Sequence, residues 1–404
     1  MTKVIIVGAG TGGLSVAREL SKNKNVQITL IEKGPLTNPS EAYKYYDTWD
    51  KNEMELIKTD NVGGSSLVIA GNFIPSLVDE LKELGIDINP QLEQLNQELG
   101  IQCMPESHMS KTDELLINSS KKLGLDMKFT PKAINPEKCK KCGKCAWGCP
   151  HGAKWSSLSD LEYAQENGVK LITNEKVTGL IVEENVVKGV KTSKGNQYDA
   201  DVVVLAAGGM VTPKLLRTLS IKAGETFSVD PFITVGAYLK GSQQDNGVQM
   251  NTYIKLPHIL IASHTSQFLL PKIQETHPDA TVDDIISLMI KVPDNLKGHV
   301  YMNEIVKDID FHDASLLARG AAIAGNILVE AGADIKSLSS THVRGAHLIS
   351  SARIGDVVDE NLETEIKNLY VADGSVLPKA PGLPPIYTIL ALSRRLGQYL
   401  CEKL

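Results

Sequence analysis

Val4-Ile-Ile-Val7-Gly8-Ala9-Gly10-Thr11-Gly12-Gly13-Leu14 decides the fold of this 404-residue chain. Residues 3–7 form a short apolar run rich in β-branched side chains, which predicts a strand. Leu14, Ala17 and Leu20 then fall on one helical face, and a second run, Val26 to Ile31, ends at Glu32. In Gly8-x-Gly10-x-x-Gly13 the first glycine makes the tight turn, the second lets a pyrophosphate approach the backbone, and the third lets helix and strand pack closely. Thr11 and Gly12 complete the turn, where free N–H groups and the positive end of the helix face the phosphates. Glu32, nineteen residues after Gly13 at a strand end, is placed to accept the ribose hydroxyls. The pattern predicts a dinucleotide site and leaves FAD and NAD both open.

Further along, residues 34–62 read as polar and irregular, and Gly63-Gly64-Ser65-Ser66 is a second small-residue turn. Helical patterns follow around 76–100 and 110–124. Strands are expected at 170–174, 177–183, 186–192 and 201–205, the last running into Ala206-Ala207-Gly208-Gly209. Residues 226–338 read as short strands with helical stretches near 282–291 and 313–331. The segment Leu369-Tyr-Val-Ala-Asp373-Gly-Ser375 is a strand entering a turn, and an amphipathic helix follows Pro385.

A net charge of −6 offers no basic stripe for nucleic acid and does not favour anionic partners. Lys3 leads straight into the first strand, so no secretory leader is read, and no apolar run approaches the ~18 residues that span a bilayer. A cytoplasmic location is expected.

Four of the six cysteines crowd into Cys139-x-x-Cys142-x-x-Cys145-x-x-x-Cys149-Pro150, while Cys103 and Cys401 stand alone. This is the bacterial ferredoxin run, and it predicts one iron–sulfur cluster, [4Fe-4S] with [3Fe-4S] as the alternative. Zinc is the main competitor. In two-cluster ferredoxins the fourth cysteine of the run serves the other cluster, and no second run exists here. Cys149 is preferred as the fourth ligand, with Cys103 or a missing iron as the alternatives.

Three later segments resemble flavoproteins and favour FAD: Glu32-Lys33-Gly34, Val204-Leu-Ala-Ala207-Gly208-Gly209 and the strand ending at Asp373. Together with Gly63-Gly64-Ser65-Ser66, Gly152-Ala-Lys154 and His347-x-x-Ser-Ser-x-Arg353-Ile-Gly355, the chain resembles the glucose–methanol–choline (GMC) oxidoreductases over residues 1–75, about 145–220 and 340–404. The resemblance implies an α/β fold: a Rossmann-like FAD-binding domain built from 1–75, 151–225 and 339–404, a helical segment with an iron–sulfur loop at 76–150, and an α+β cap at 226–338. Asp373 would sit beside the ribityl and pyrophosphate, Val177 beside the cofactor, and the helix after Pro384-Pro385 would point at the flavin. FAD is expected to be held noncovalently, since no histidine adjoins Gly63-Gly64.

By the same resemblance His347 lies over the flavin and takes the proton of a substrate hydroxyl, a duty suited to a neutral imidazole. His342 lacks the register. The chain departs from the family where the histidine's partner, usually Asn or His, would stand: Pro384 occupies that place and has no hydrogen to give. The reading is an FAD and iron–sulfur dehydrogenase that oxidises a small hydroxyl-bearing substrate and passes electrons to a carrier protein such as ferredoxin or another redox subunit rather than to oxygen. Two alternatives are a ferredoxin-fed reductase of a C=C or C=O bond and a non-catalytic electron-transfer module.

Overall fold

The computed structural model describes residues 1–49 and 54–404. Thr2–Val7, Thr11–Leu20 and Val26–Ile31 form the expected strand, helix and strand. The two strands run parallel, with Ile6 opposite Leu30, and Gly8 N donates to Ile31 O to close the turn. Val202–Leu205 and Leu369–Val371 add in parallel on one side and Lys170–Ile172 on the other, so five strands from distant segments make one parallel sheet. The central strands are buried on both faces, as near-continuous Val/Ile/Leu runs in a parallel sheet require.

The Thr11–Leu20 helix packs against the C-terminal helix Ile386–Lys403. Arg394, almost fully buried there, reaches Glu19 at 2.5 Å, Asp160 at 2.9 Å and Glu98 at 3.1 Å, tying its own helix to three others. Sequence patterning held no sign of this network.

A second, largely antiparallel sheet is built around Phe232–Tyr238 and Ile285–Lys291. The helix expected near 282–291 is therefore a strand. Its residues are buried throughout, and a short apolar run buried on both faces carries no period by which strand and helix can be told apart. The other expected helix in this region is present as Phe311–Glu330. Residues 34–62 are likewise not irregular: Tyr46–Trp49 and Glu55–Thr59 pair antiparallel and join this sheet through Arg344–Gly345, while residues 50–53 lie outside the described residues. The helical pattern at 76–100 resolves into two helices, Val78–Glu83 and Asn89–Leu99, and Lys111–Lys122 starts on a Ser110/Asp113 capping box. Among the described residues no helix is long and apolar enough to cross a membrane.

Candidate active site

A cavity of about 1120 Å³ opens between the two sheets, larger than the ~300–1,000 Å³ of common small-molecule sites and so roomy enough for an extended dinucleotide with a substrate. Gly8, Gly10, Thr11, Gly12, Glu32, Lys33, Gly64, Ser65, Ser66, Val177, Ala207, Gly208, His347, Asp373, Pro384 and Pro385 all border it. Gly13 and Gly63 do not, for geometric reasons. A Cβ on Gly13 would lie 2.1 Å from Gly8 O, so this glycine serves the packing of helix on strand. Gly63 is left-handed (φ 93°) and donates its N–H to Ala9 O at 2.7 Å, which docks the second glycine turn against the first.

The acidic residues are held by backbone. Glu32 accepts from Ala9 N at 2.8 Å and Gly34 N at 2.7 Å, and burial raises its carboxyl pKa against those two bonds. Lys33 is paired with Asp60 at 2.6 Å. Asp373 accepts from Gly208 N, Thr212 Oγ1 and Ser375 N at 2.6–2.8 Å, linking the ends of two parallel strands.

His347 borders the cavity and its Nδ1 lies 2.8 Å from Asp230 Oδ2. The other oxygen of Asp230 accepts the Gly382 N–H at 2.7 Å. Gly382 belongs to the same Gly-Leu-Pro-Pro turn that carries Pro384, so the carboxylate ties the histidine to the segment where its usual partner is missing. Burial pushes the Asp230 carboxyl up to about 7, opposed by Lys291 and the Gly382 N–H. Burial, reinforced by Lys291, holds the His347 imidazole well below its ordinary value. When Asp230 is ionised, the Nδ1 proton faces the carboxylate and Nε2 carries the free lone pair. Asp230 was not singled out from sequence. Its one signal is an ionisable residue inside the apolar stretch Phe227 to Val235. His342 is half-exposed and 2.9 Å from Glu55 Oε2.

His264, Lys291 and Arg344 also line the cavity and were not anticipated. His264 Nδ1 lies 3.1 Å from Thr234 Oγ1, and burial, then Arg344 and Lys291, drive its pKa down to about 3.

Cys139, Cys142, Cys145 and Cys149 line a second, small cavity of about 20 Å³. Exposed Cys103 does not; its thiol faces Phe129 O at 3.6 Å. Among the described residues no group of three His, Cys, Asp or Glu stands close enough together to hold a metal ion as placed. Burial raises the Cys139 thiol, and the other three cysteines add to that rise. Two fully buried lysines flank them, each driven down to about 8 by burial. Lys132 Nζ donates to Ala70 O, Asn72 Oδ1 and Gln249 O, and Lys154 Nζ to Ser66 O and Leu67 O. The two cavities share a wall: Cys145 faces the small one while its neighbours Ala146 and Trp147 face the large one, as Lys154 and its acceptor Ser66 also divide.

The family profiles of the GMC oxidoreductases match residues 2–241 and 291–393. An uncharacterised protein of Methanocaldococcus jannaschii is 30% identical over 392 residues, covering 96% of this chain and 97% of that protein. A long-chain-alcohol oxidase of Arabidopsis thaliana is 24% identical, covering 96% of this chain and 66% of its own. In fold the chain is similar to a pyridoxine 4-oxidase from Mesorbium loti, with a TM-score of 0.73 at 16% identity over 99% of both chains. A formate oxidase of Aspergillus oryzae gives a TM-score of 0.74 at 17% identity, covering 100% of this chain and 98% of that one.

Proposed function

The chain belongs to the GMC oxidoreductase family, flavin-dependent enzymes of CH–OH oxidation, and from that premise we propose that it dehydrogenates a small hydroxyl-bearing compound with His347 as the base. The observation that carries this reading is the contact of the buried Asp230 carboxylate with His347 on the wall of the large cavity. Oxidation breaks the O–H and carbinol C–H bonds and forms C=O. The hydroxyl proton goes to His347 Nε2, and the resulting imidazolium is stabilised by Asp230. FAD, when bound, accepts the hydride. Asp230, from the loop leading into the Phe232–Tyr238 strand, supplies the orienting contact that Pro384 cannot.

The residues that would hold the FAD are the Gly8–Gly13 turn and Glu32 at the adenosine end, Gly63–Ser66, Val177 and Ala207–Gly208 along the middle, and Asp373 with Pro384-Pro385 toward the flavin. The space next to Gly10 fits this use: a Cβ built there meets nothing within 4 Å.

The same reading includes one iron–sulfur cluster on Cys139, Cys142, Cys145 and Cys149. The donor set supports it: four thiols rim one cavity, and the two buried ammonium groups beside them hydrogen-bond to neutral oxygens, a setting that an anionic cluster would balance. Such a cluster, when bound, exchanges single electrons with a carrier such as ferredoxin, and the shared wall keeps that exit next to the flavin site.

The test is anaerobic. Purified protein should show a flavin spectrum with a broad iron–sulfur shoulder, and hydroxyl compounds should bleach the flavin. Reduction by ferredoxin with no response to any hydroxyl compound would reverse the direction of electron flow.

A further inference from the structure

The register of the second sheet places Lys291, Phe232, Arg344 and Glu55 side by side on four neighbouring strands. All four border the large cavity. The Phe232 ring centroid is 4.5 Å from Lys291 Nζ and 5.0 Å from the Arg344 guanidinium, and the Phe268 centroid is 4.9 Å from the same guanidinium. Among the described residues the Arg344 side chain makes ring contacts and a loose 4.0 Å approach of Nε to Glu55, whose Oε2 is already engaged by His342 at 2.9 Å. Its Nε is buried with no hydrogen-bond partner among the described residues. Lys291 is buried, and among the described residues its ammonium makes a single long hydrogen bond, 3.3 Å to Asp230 O, with the Asp230 and Asp294 carboxylates near enough to act on its charge.

A guanidinium carries five N–H donors in a planar fork and an ammonium three. Donors held out of water without acceptors are costly, and a buried cation is ordinarily paired. On one row of the cavity wall that His347 also borders, the guanidinium and the ammonium offer a carboxylate positive charge and N–H donors. Burial lowers the pKa of both cations, the strain an incoming anion would relieve. The chain's net charge of −6 predicts poor affinity for anions, yet the field at this wall is set by groups a few ångströms away.

We propose that the substrate of this site is a hydroxy acid, its carboxylate held by Arg344 and Lys291 while its hydroxyl meets His347. This rests on the dehydrogenase reading, so the experiment has two arms on the FAD-loaded protein. In the first, acetate, benzoate and oxalate are titrated into the oxidised enzyme and binding is followed by the flavin difference spectrum. At least one should bind saturably. Its Kd should rise about 10- to 100-fold in Arg344→Gln and in Lys291→Met, the loss of one charge-assisted bond each, with a smaller rise in Arg344→Lys.

In the second arm, 2- and 3-hydroxy acids are compared anaerobically with their methyl esters and amides as flavin reductants. Acids should exceed their esters by about 100-fold or more in kcat/KM, and Arg344→Gln should raise KM for the acid more than it lowers kcat. Flavin reduction by neutral alcohols with no carboxylate binding overturns the anionic site and leaves the dehydrogenase reading standing. Carboxylate binding that depends on Arg344, with no hydroxyl compound reducing the flavin, does the reverse.

Discussion

Asp230 and His347 are 117 positions apart in the chain and 2.8 Å apart in the structure, Oδ2 against Nδ1. The contact fixes which ring nitrogen faces the cavity. His347→Ala should therefore lower the rate of flavin reduction by a hydroxyl substrate by about 10²- to 10⁴-fold while FAD remains bound. A stopped-flow trace that matched the wild type would remove His347 from the chemistry.

Asp230 must be ionised to accept from Nδ1; protonated, it donates to Nδ1 and leaves the wrong nitrogen toward substrate. Its pKa is raised to about 7, so reduction should fall as pH drops through that value and level off above it. Asp230→Asn should be slow at every pH and lack this limb. A limb that survived unchanged in the variant would belong to another group.

His264 gives a stability effect of definite sign. Its folded pKa is about 3 against an ordinary 6.5, so between those values the unfolded chain binds the extra proton and stability falls as pH drops through that window. Comparing denaturant unfolding at pH 7 and pH 5, the wild type should lose more stability than His264→Gln. Equal losses in the two proteins would show that His264 titrates normally.

Gly10 and Gly12 should separate binding from folding. A Cβ at Gly12 would stand 1.7 Å from Ala372 O, whereas at Gly10 it meets only open space. Gly12→Ala should be markedly destabilised even without cofactor. Gly10→Ala should unfold at the wild-type apoprotein temperature yet retain little FAD after gel filtration. An alanine at position 10 that keeps full flavin content would move the pyrophosphate elsewhere.

Arg394→Met leaves Glu19 and Asp160 buried beside fewer cations, and should cost about 3–5 kcal/mol in denaturant unfolding. A loss under about 1 kcal/mol, the size of an exposed ion pair, would mean that water reaches the network.

The cofactor cleft was legible in sequence because its parts are local: a strand, a turn in which three glycines each have a steric duty, a helix and a terminal Glu32. Chain neighbours determine such units, and their order along the chain named the family. The cysteine run is local in the same way. What surrounds the substrate is not. Lys291, Arg344 and Phe232 come from paired strands of the second sheet and Asp230 from the loop leading into one of them, and each is an ordinary residue until the sheet sets it beside the others. Ile285–Lys291 lost its identity as a strand because burial on both faces erases the alternation that marks one. Sequence by itself thus determined a GMC flavoprotein fold with a cysteine-rich loop. Only the tertiary structure set Asp230 against His347 and put Lys291 and Arg344 on the wall of the same cavity, since both arrangements depend on non-local contacts that carry no period along the chain.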